Sequence, residues 1–154
     1  FGKPHASEYD SSSTSDATVG NTDGCTTYYE HETGNNQIKA GASTAIAANI
    51  ESGDFDINEQ GMGGDGDVIM SIRRIVPDFL TQTGDTTIAL NLKNYPTDSQ
   101  TSSSLGPFTA TTSTTKIDTR ARARAVSLKV SNSGVGQHWK LGTFRLDIQP
   151  DGRR

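Results

Sequence analysis

Seven consecutive residues, Thr86-Thr87-Ile88-Ala89-Leu90-Asn91-Leu92, alternate between apolar side chains and small or polar ones. Successive side chains of a β-strand point to opposite faces, so this period of two predicts a half-buried strand with Ile88, Leu90 and Leu92 inward. The same period recurs over Asp67 to Ile75, where Val68, Met70 and Ile72 share a face. Pro77 then stops the ladder, because it lacks an N–H and its φ is fixed. A further alternation from Ser43 places Ile46, Ala48 and Ile50 on one side of a strand. No stretch offers an amphipathic helical stripe; Ala45-Ile46-Ala47-Ala48 is short and hemmed by Ser43, Thr44 and Asn49. The expected class is all-β, an antiparallel β-sandwich or Greek-key-like domain with long Ser/Thr/Gly-rich loops.

Residues 1–43 are dominated by Ser, Thr, Asp, Gly and Asn, including Ser11 to Ser15, and show no sustained period, which predicts an irregular arm or loop segment. Tyr28 and Tyr29 beside Glu30 and His31 are either local anchors of that arm or a docking patch for a neighbour. Residues 44–154 form the β-rich structural domain. Within it, Pro96 to Thr115 reads as a long loop plus one short strand, with Gly106-Pro107 as a turn signal before Phe108. Two strands, Ile117 to Ser131 and His138 to Gln149, joined by the turn-prone Asn132-Ser133-Gly134, look like a hairpin. Trp139 is expected to be a core anchor, and Phe144, Leu146 and Ile148 alternate against Arg145, Asp147 and Gln149, with Gly142 absorbing the phase change after Leu141.

The core this pattern can build is thin. Hydrophobic residues make up 31 % of the 154-residue chain, which is about the length of one domain. So little apolar surface implies long irregular segments, burial completed against neighbouring subunits, or both. The single Cys25 excludes an internal disulfide and mildly favours folding in a reducing cytoplasm. No apolar run approaches the roughly 18 residues needed to span a bilayer and no leader precedes the domain, so the chain reads as soluble, with no membrane contact. It begins at Phe1 rather than Met, as a processed product, a fragment or a chain numbered from partway along would.

Chemistry-bearing motifs are sparse. Asp54-Phe55-Asp56-Ile57-Asn58-Glu59 resembles the first half of a calcium loop, but its sixth position is Glu59 rather than Gly and its twelfth is Asp65 rather than Glu. The glycines from Gly61 to Gly66 lack the Gly-Lys-Ser/Thr ending of a phosphate cradle. His5, His31 and His138 stand outside any nucleophile motif, and no carboxylate pair is singled out for sugar hydrolysis. No enzyme activity, metal or cofactor is expected.

Charge is more informative. Residues 1–115 hold five basic and fifteen acidic side chains, whereas residues 116–154 hold nine basic and three acidic. Such polarity suits head-to-tail contact between identical copies, although two solvated faces would read the same way. Arg120, Arg122 and Arg124 share one strand face with Ala121, Ala123 and Ala125 on the other, yet Val126, Leu128 and Val130 continue in the parity of the arginines. Either a β-bulge near Ala125 shifts the phase by one, or the strand leaves the core and enters an interface. Guanidinium groups at this spacing repel one another unless carboxylates, phosphates or solvent face them. The pairing expected is with the acidic segment Glu51 to Asp67 of an adjacent subunit, including Glu51, Asp54 and Asp56. A solvated edge strand and contact with DNA are the alternatives.

Taken together, Ile50 to Asp56, Met70-Ser71-Ile72-Arg73-Arg74-Ile75-Val76-Pro77-Asp78, Arg120 to Arg124 and the ending Trp139 to Arg154 resemble the C-terminal region of the tail nozzle, or tail stabilisation, structural proteins of short-tailed phages. The resemblance covers residues 46–154 and is strongest in the last 38. It implies a virion protein of the tail, assembled in the host cytoplasm as a ring of identical subunits, a hexamer, that guides DNA out. The partners it implies are the adaptor, a needle or plug, and fibres. Nozzle proteins are much longer than this chain, which fits a fragment or a shortened relative. The rival reading is a carbohydrate-binding or adhesive β-sandwich module using Tyr28, Tyr29, Tyr95 and Trp139, which requires exposed rings on one face.

Overall fold

The computed structural model describes residues 5–9, 26–30, 34–39, 42–58, 61–62, 64, 66–95 and 103–153. Ser11 to Ser15, Cys25, His31, Glu59, Asp65, residues 96–102 and the side chains of Tyr28 and Tyr29 lie outside the described residues. The chain divides into two compact units, Phe1–Ile46 and Ala47–Arg154.

The first unit contains β1 (His5–Tyr9), β2 (Thr26–Glu30), β3 (Asn36–Lys39) and β4 (Ala42–Ala45). β1 pairs with β2 and β3 with β4, both antiparallel. These pairings replace much of the irregular segment expected over residues 1–43. Strand pairing satisfies backbone N–H and C=O groups whether or not a face is buried. Ile38 is 68 % exposed, so burial imposed no alternation on β3 for the sequence to display.

The second unit contains β5 (Ala48–Glu51), β6 (Ile57–Asn58), β7 (Gly61–Met62), β8 (Val68–Val76), β9 (Phe79–Thr83), β10 (Thr86–Lys93), β11 (Ser104–Ala110), β12 (Ile117–Ala123), β13 (Ala125–Asn132), β14 (His138–Leu141) and β15 (Arg145–Arg153). Two antiparallel sheets, ordered β11-β10-β13-β5 and β12-β8-β15, build a β-sandwich-like body. Small pairs β14-β9 and β6-β7 complete it. Among the described residues there is no helix, hence none long and apolar enough to cross a membrane.

One core cluster unites the sheets: Met70, Ile72 and Ile75 of β8, Ile117, Ala121 and Ala123 of β12, Ile88 and Leu90 of β10, and Val126 and Val130 of β13. Each large aliphatic side chain there contributes about 1.5–3 kcal/mol by leaving water. Ile88 and Leu90 face inward as their period requires, with Leu92 half-buried, and β8 ends at Val76, immediately before Pro77. Gly106-Pro107 lies inside β11 rather than in a turn, where the register against β10 slips between Ile88 and Leu90. A bulge on an edge strand tolerates both a missing N–H and a positive φ, and Gly106 has φ of 112°. A Cβ there would lie 3.0 Å from the Ile88 carbonyl oxygen.

The expected strand from Ile117 to Ser131 is two strands in different sheets. β12 buries Ile117, Thr119, Ala121 and Ala123, whereas β13 buries Val126 and Val130, so the inward parity changes at Arg124. The chain crosses from one sheet to the other there. The Arg124 N–H donates to the Lys93 carbonyl at 3.0 Å, and Val126 and Phe55 exchange backbone hydrogen bonds at 2.9 and 3.0 Å. The phase break in the sequence thus marks a corner, where each sheet imposes its own inward side.

The expected hairpin between this strand and His138–Gln149 does not form. β13 pairs with β10 and β5, β14 with β9, and β15 with β8. A local turn signal cannot specify which distant strand best completes each buried face. The strand expected around Ile46, Ala48 and Ile50 is divided between the two units, and its apolar side is not buried: Ile46 is 53 % and Ile50 49 % exposed. Ile50 pairs with the buried Val130, but β5 is the sheet's outermost strand, so Ile50 itself lies exposed at that margin.

Candidate functional site

β12 presents Asp118, Arg120 and Arg122 to solvent because its buried parity belongs to Ile117, Thr119, Ala121 and Ala123. Register places Arg122 beside Ser71, and Asp118 beside Arg74, which is in turn beside Asp147 of β15. The outer face of the three-stranded sheet therefore carries Arg74, Arg120, Arg122 and Arg145, with Arg73 at the adjoining irregularity, against Asp118, Asp147 and Asp151. Arg122 pairs with Asp151 at 2.7 Å and also donates to the Asp151 carbonyl at 3.2 Å. Arg74 meets Asp118 at 2.8 Å and Lys116 meets the same carboxylate at 3.2 Å. The Arg74 hydrogen bond, reinforced by that from Lys116, holds the Asp118 carboxyl below its ordinary pKa, and the Asp118 hydrogen bond raises that of Arg74. Arg120 is exposed and has no ion pair among the described residues.

Arg124 parts company with its two neighbours. At the corner between sheets it turns toward the acidic segment of its own chain, where Nη1 donates to the carbonyls of Gly66 at 2.8 Å and Asp67 at 3.2 Å. It lines a pocket of about 480 Å³ together with Asp54, Asp56, Lys93, Asn94 and Tyr95. Lys93 Nζ pairs with Asp54 at 2.5 Å, with the lysine side chain only 14 % exposed. Tyr95, by contrast, is 68 % exposed. Two acids and two bases thus balance one another around the opening, and the calcium-like spacing of Asp54 and Asp56 serves this pocket wall. Among the described residues no group of three or more His, Cys, Asp or Glu side chains is placed to hold a metal ion.

Glu51 stands apart from both features, on the outer face of the four-stranded sheet. Its Oε1 accepts hydrogen bonds from Asn91 Nδ2 at 2.7 Å and Ser127 Oγ at 3.1 Å, and Lys129 approaches Oε2 at 3.9 Å. Of the acidic candidates, then, Asp54 and Asp56 adjoin Arg124 in the same chain, while Glu51 serves a separate cluster. Sequence reasoning did not single out Lys93, Asn91 or Asp151. The available signal was Lys93 itself, a cation closing an alternating apolar strand, but its partner lies 39 residues away.

Trp139 sits on β14, half-buried and packed against the core. Phe79 meets it edge-on at 6.3 Å between ring centroids and meets Phe144 in the same way at 6.1 Å. The indole N–H is buried with no partner among the described residues. Such a ring is an anchor and not an open platform. Gly142 permits the next step of the chain: its N–H donates to the Asp78 carbonyl at 2.8 Å, and a Cβ would lie 2.9 Å from that oxygen. Comparison of the chain with protein-family models and with curated proteins found no match.

Proposed function

We propose that this chain is a non-catalytic structural module that assembles with copies of itself, and that its setting is the tail nozzle of a short-tailed phage. The observation that carries the assembly is the margin at β5. Three of the four outer strands of the sandwich carry features that discourage a further strand: Gly106-Pro107 in β11, Asp118, Arg120 and Arg122 on β12, and Arg145, Asp147 and Pro150 on β15. β5 has only Ala48, Asn49 and Ile50 before Glu51, and Ile50 lies 49 % exposed beside the buried Val130.

The occupant proposed for this margin is a second copy, offering the arginine-bearing face of β12 to the acidic side chains of Glu51, Asp54 and Asp56. Charge complementarity orients that contact, and burial of Ile50 supplies its apolar part. The contact is heterologous, so its repetition generates a closed ring when the rotation allows. A ring around a DNA exit channel, meeting an adaptor, a needle or plug and fibres, is the arrangement implied by the resemblance of Met70 to Asp78 and Trp139 to Arg154 to nozzle proteins.

Native mass spectrometry and electron microscopy of the purified chain test the proposal. The expected result is a closed oligomer at high concentration that dissociates on Ile50→Lys or Arg120→Glu. A chain that remains monomeric at the highest attainable concentration, or an oligomer indifferent to both substitutions, overturns the contact.

A further inference from the structure

The pocket beside the sheet corner holds more than the two carboxylates, Asp54 and Asp56, on which the proposed contact draws. Tyr95 presents a largely exposed ring at its rim. The same pocket is lined by Asp56, Asn94 and Arg124. Arg124 is set in place by the Gly66 and Asp67 carbonyls, so its planar fork is oriented before any ligand arrives. Lys93 and Asp54, which also line the pocket, neutralise each other at 2.5 Å.

We propose that this pocket binds a neutral saccharide. Its volume of about 480 Å³ falls within the roughly 300–1,000 Å³ typical of small-ligand sites. Sugar hydroxyls both donate and accept, which matches a wall that offers carboxylate acceptors, amide groups of both kinds and guanidinium donors. The aliphatic face of a pyranose fits a tyrosine ring, which combines an apolar body with a polar tip. Two acids against two bases leave no net charge to select an anion or a cation, and this balance favours an uncharged ligand over a phosphorylated or sialylated one. Asp56 and Arg124 would fix the orientation of the ring, and Tyr95 would supply most of the contact area.

The test is an array of neutral, acidic and phosphorylated oligosaccharides probed with the full chain, followed by ligand-observed NMR titration of the best binder. A neutral glycan is expected to bind. Tyr95→Ala should weaken it about tenfold or more through loss of the stacking surface, and Tyr95→Phe should largely preserve it. Asp56→Asn should also weaken binding, and it is an independent probe if Tyr95→Ala lowers stability. Raising the salt concentration tenfold should alter affinity by no more than about twofold, because no net charge is matched. Failure of every neutral glycan to bind, exclusive binding of anionic glycans, or binding unaffected by both Tyr95→Ala and Asp56→Asn overturns the site. A monomeric chain that binds a neutral glycan would overturn the ring contact and leave the saccharide site standing.

Discussion

Asn91 Nδ2 donates a 2.7 Å hydrogen bond to Glu51 Oε1 across the outer face of the four-stranded sheet, joining β10 to β5 over the intervening β13. Asn91 is only 8 % exposed, and Ser127, on the strand between, donates to the same carboxylate oxygen. A polar residue can be this enclosed on an outer face because its hydrogen bonds replace those it loses to water.

Glu51→Ala is expected to lower stability by about 1–3 kcal/mol, since it leaves the buried Asn91 amide and the Ser127 hydroxyl without their shared acceptor. Glu51→Gln, which keeps an oxygen there, should cost less. Urea denaturation followed by far-ultraviolet circular dichroism measures both.

Gly106→Ala should destabilise the chain by about 1 kcal/mol or more, because φ of 112° is costly for a residue with a Cβ and the added carbon meets the Ile88 carbonyl at 3.0 Å. Gly53 has open space around its Cβ position and a φ that side chains adopt readily, so Gly53→Ala is the matched control. A difference in denaturation midpoint between the two variants is the expected reading.

Trp139→Ala should cost about 2–4 kcal/mol, toward the lower end of values for large aromatic residues because the ring is only half-buried. Trp139→Phe retains an edge contact for Phe79 and should cost less. Since Trp139 is the chain's only tryptophan, its fluorescence should be blue-shifted in the folded protein and move to the red across the same denaturation transition.

Acid sensitivity should include a contribution from Asp118. Its carboxyl titrates below the ordinary value of about 3.9 because of Arg74 and Lys116, so the folded state favours the ionised form. The associated stability is complete above the ordinary value and is lost as pH falls through the lowered one. Asp118→Asn should flatten this part of the stability profile below about pH 4, and added salt should shrink the difference because the pair is exposed. Denaturation midpoints of the two proteins over that range check the sign.

Much of the sandwich was legible along the chain. Met70, Ile72, Ile88 and Leu90 declare their inward faces through the period of two, and Pro77 marks the end of β8. The parity change after Ala123 revealed that the arginines and the following valines could not share an undisturbed strand. The pairing of β3 with β4 left no such mark, since Ile38, Ser43 and Thr44 are exposed and a pair with no buried face selects no alternating pattern. The candidate pocket was legible only in pieces, as an acidic stretch, an arginine row and Tyr95, scattered between Asp54 and Ala125.

Side-chain direction is a local matter: whether a residue faces in or out of a strand follows from its place in a two-residue repeat, and sheet burial writes that repeat into the order of residues. Partnership is not local. That Arg122 meets Asp151, that Arg124 turns to Gly66 and Asp67, and that β13 joins β10 and β5 instead of β14 depend on how two sheets close over one core. Any of several strands could satisfy the same backbone hydrogen bonds, and the folded body selects the set that buries Met70, Ile88 and Val130 together.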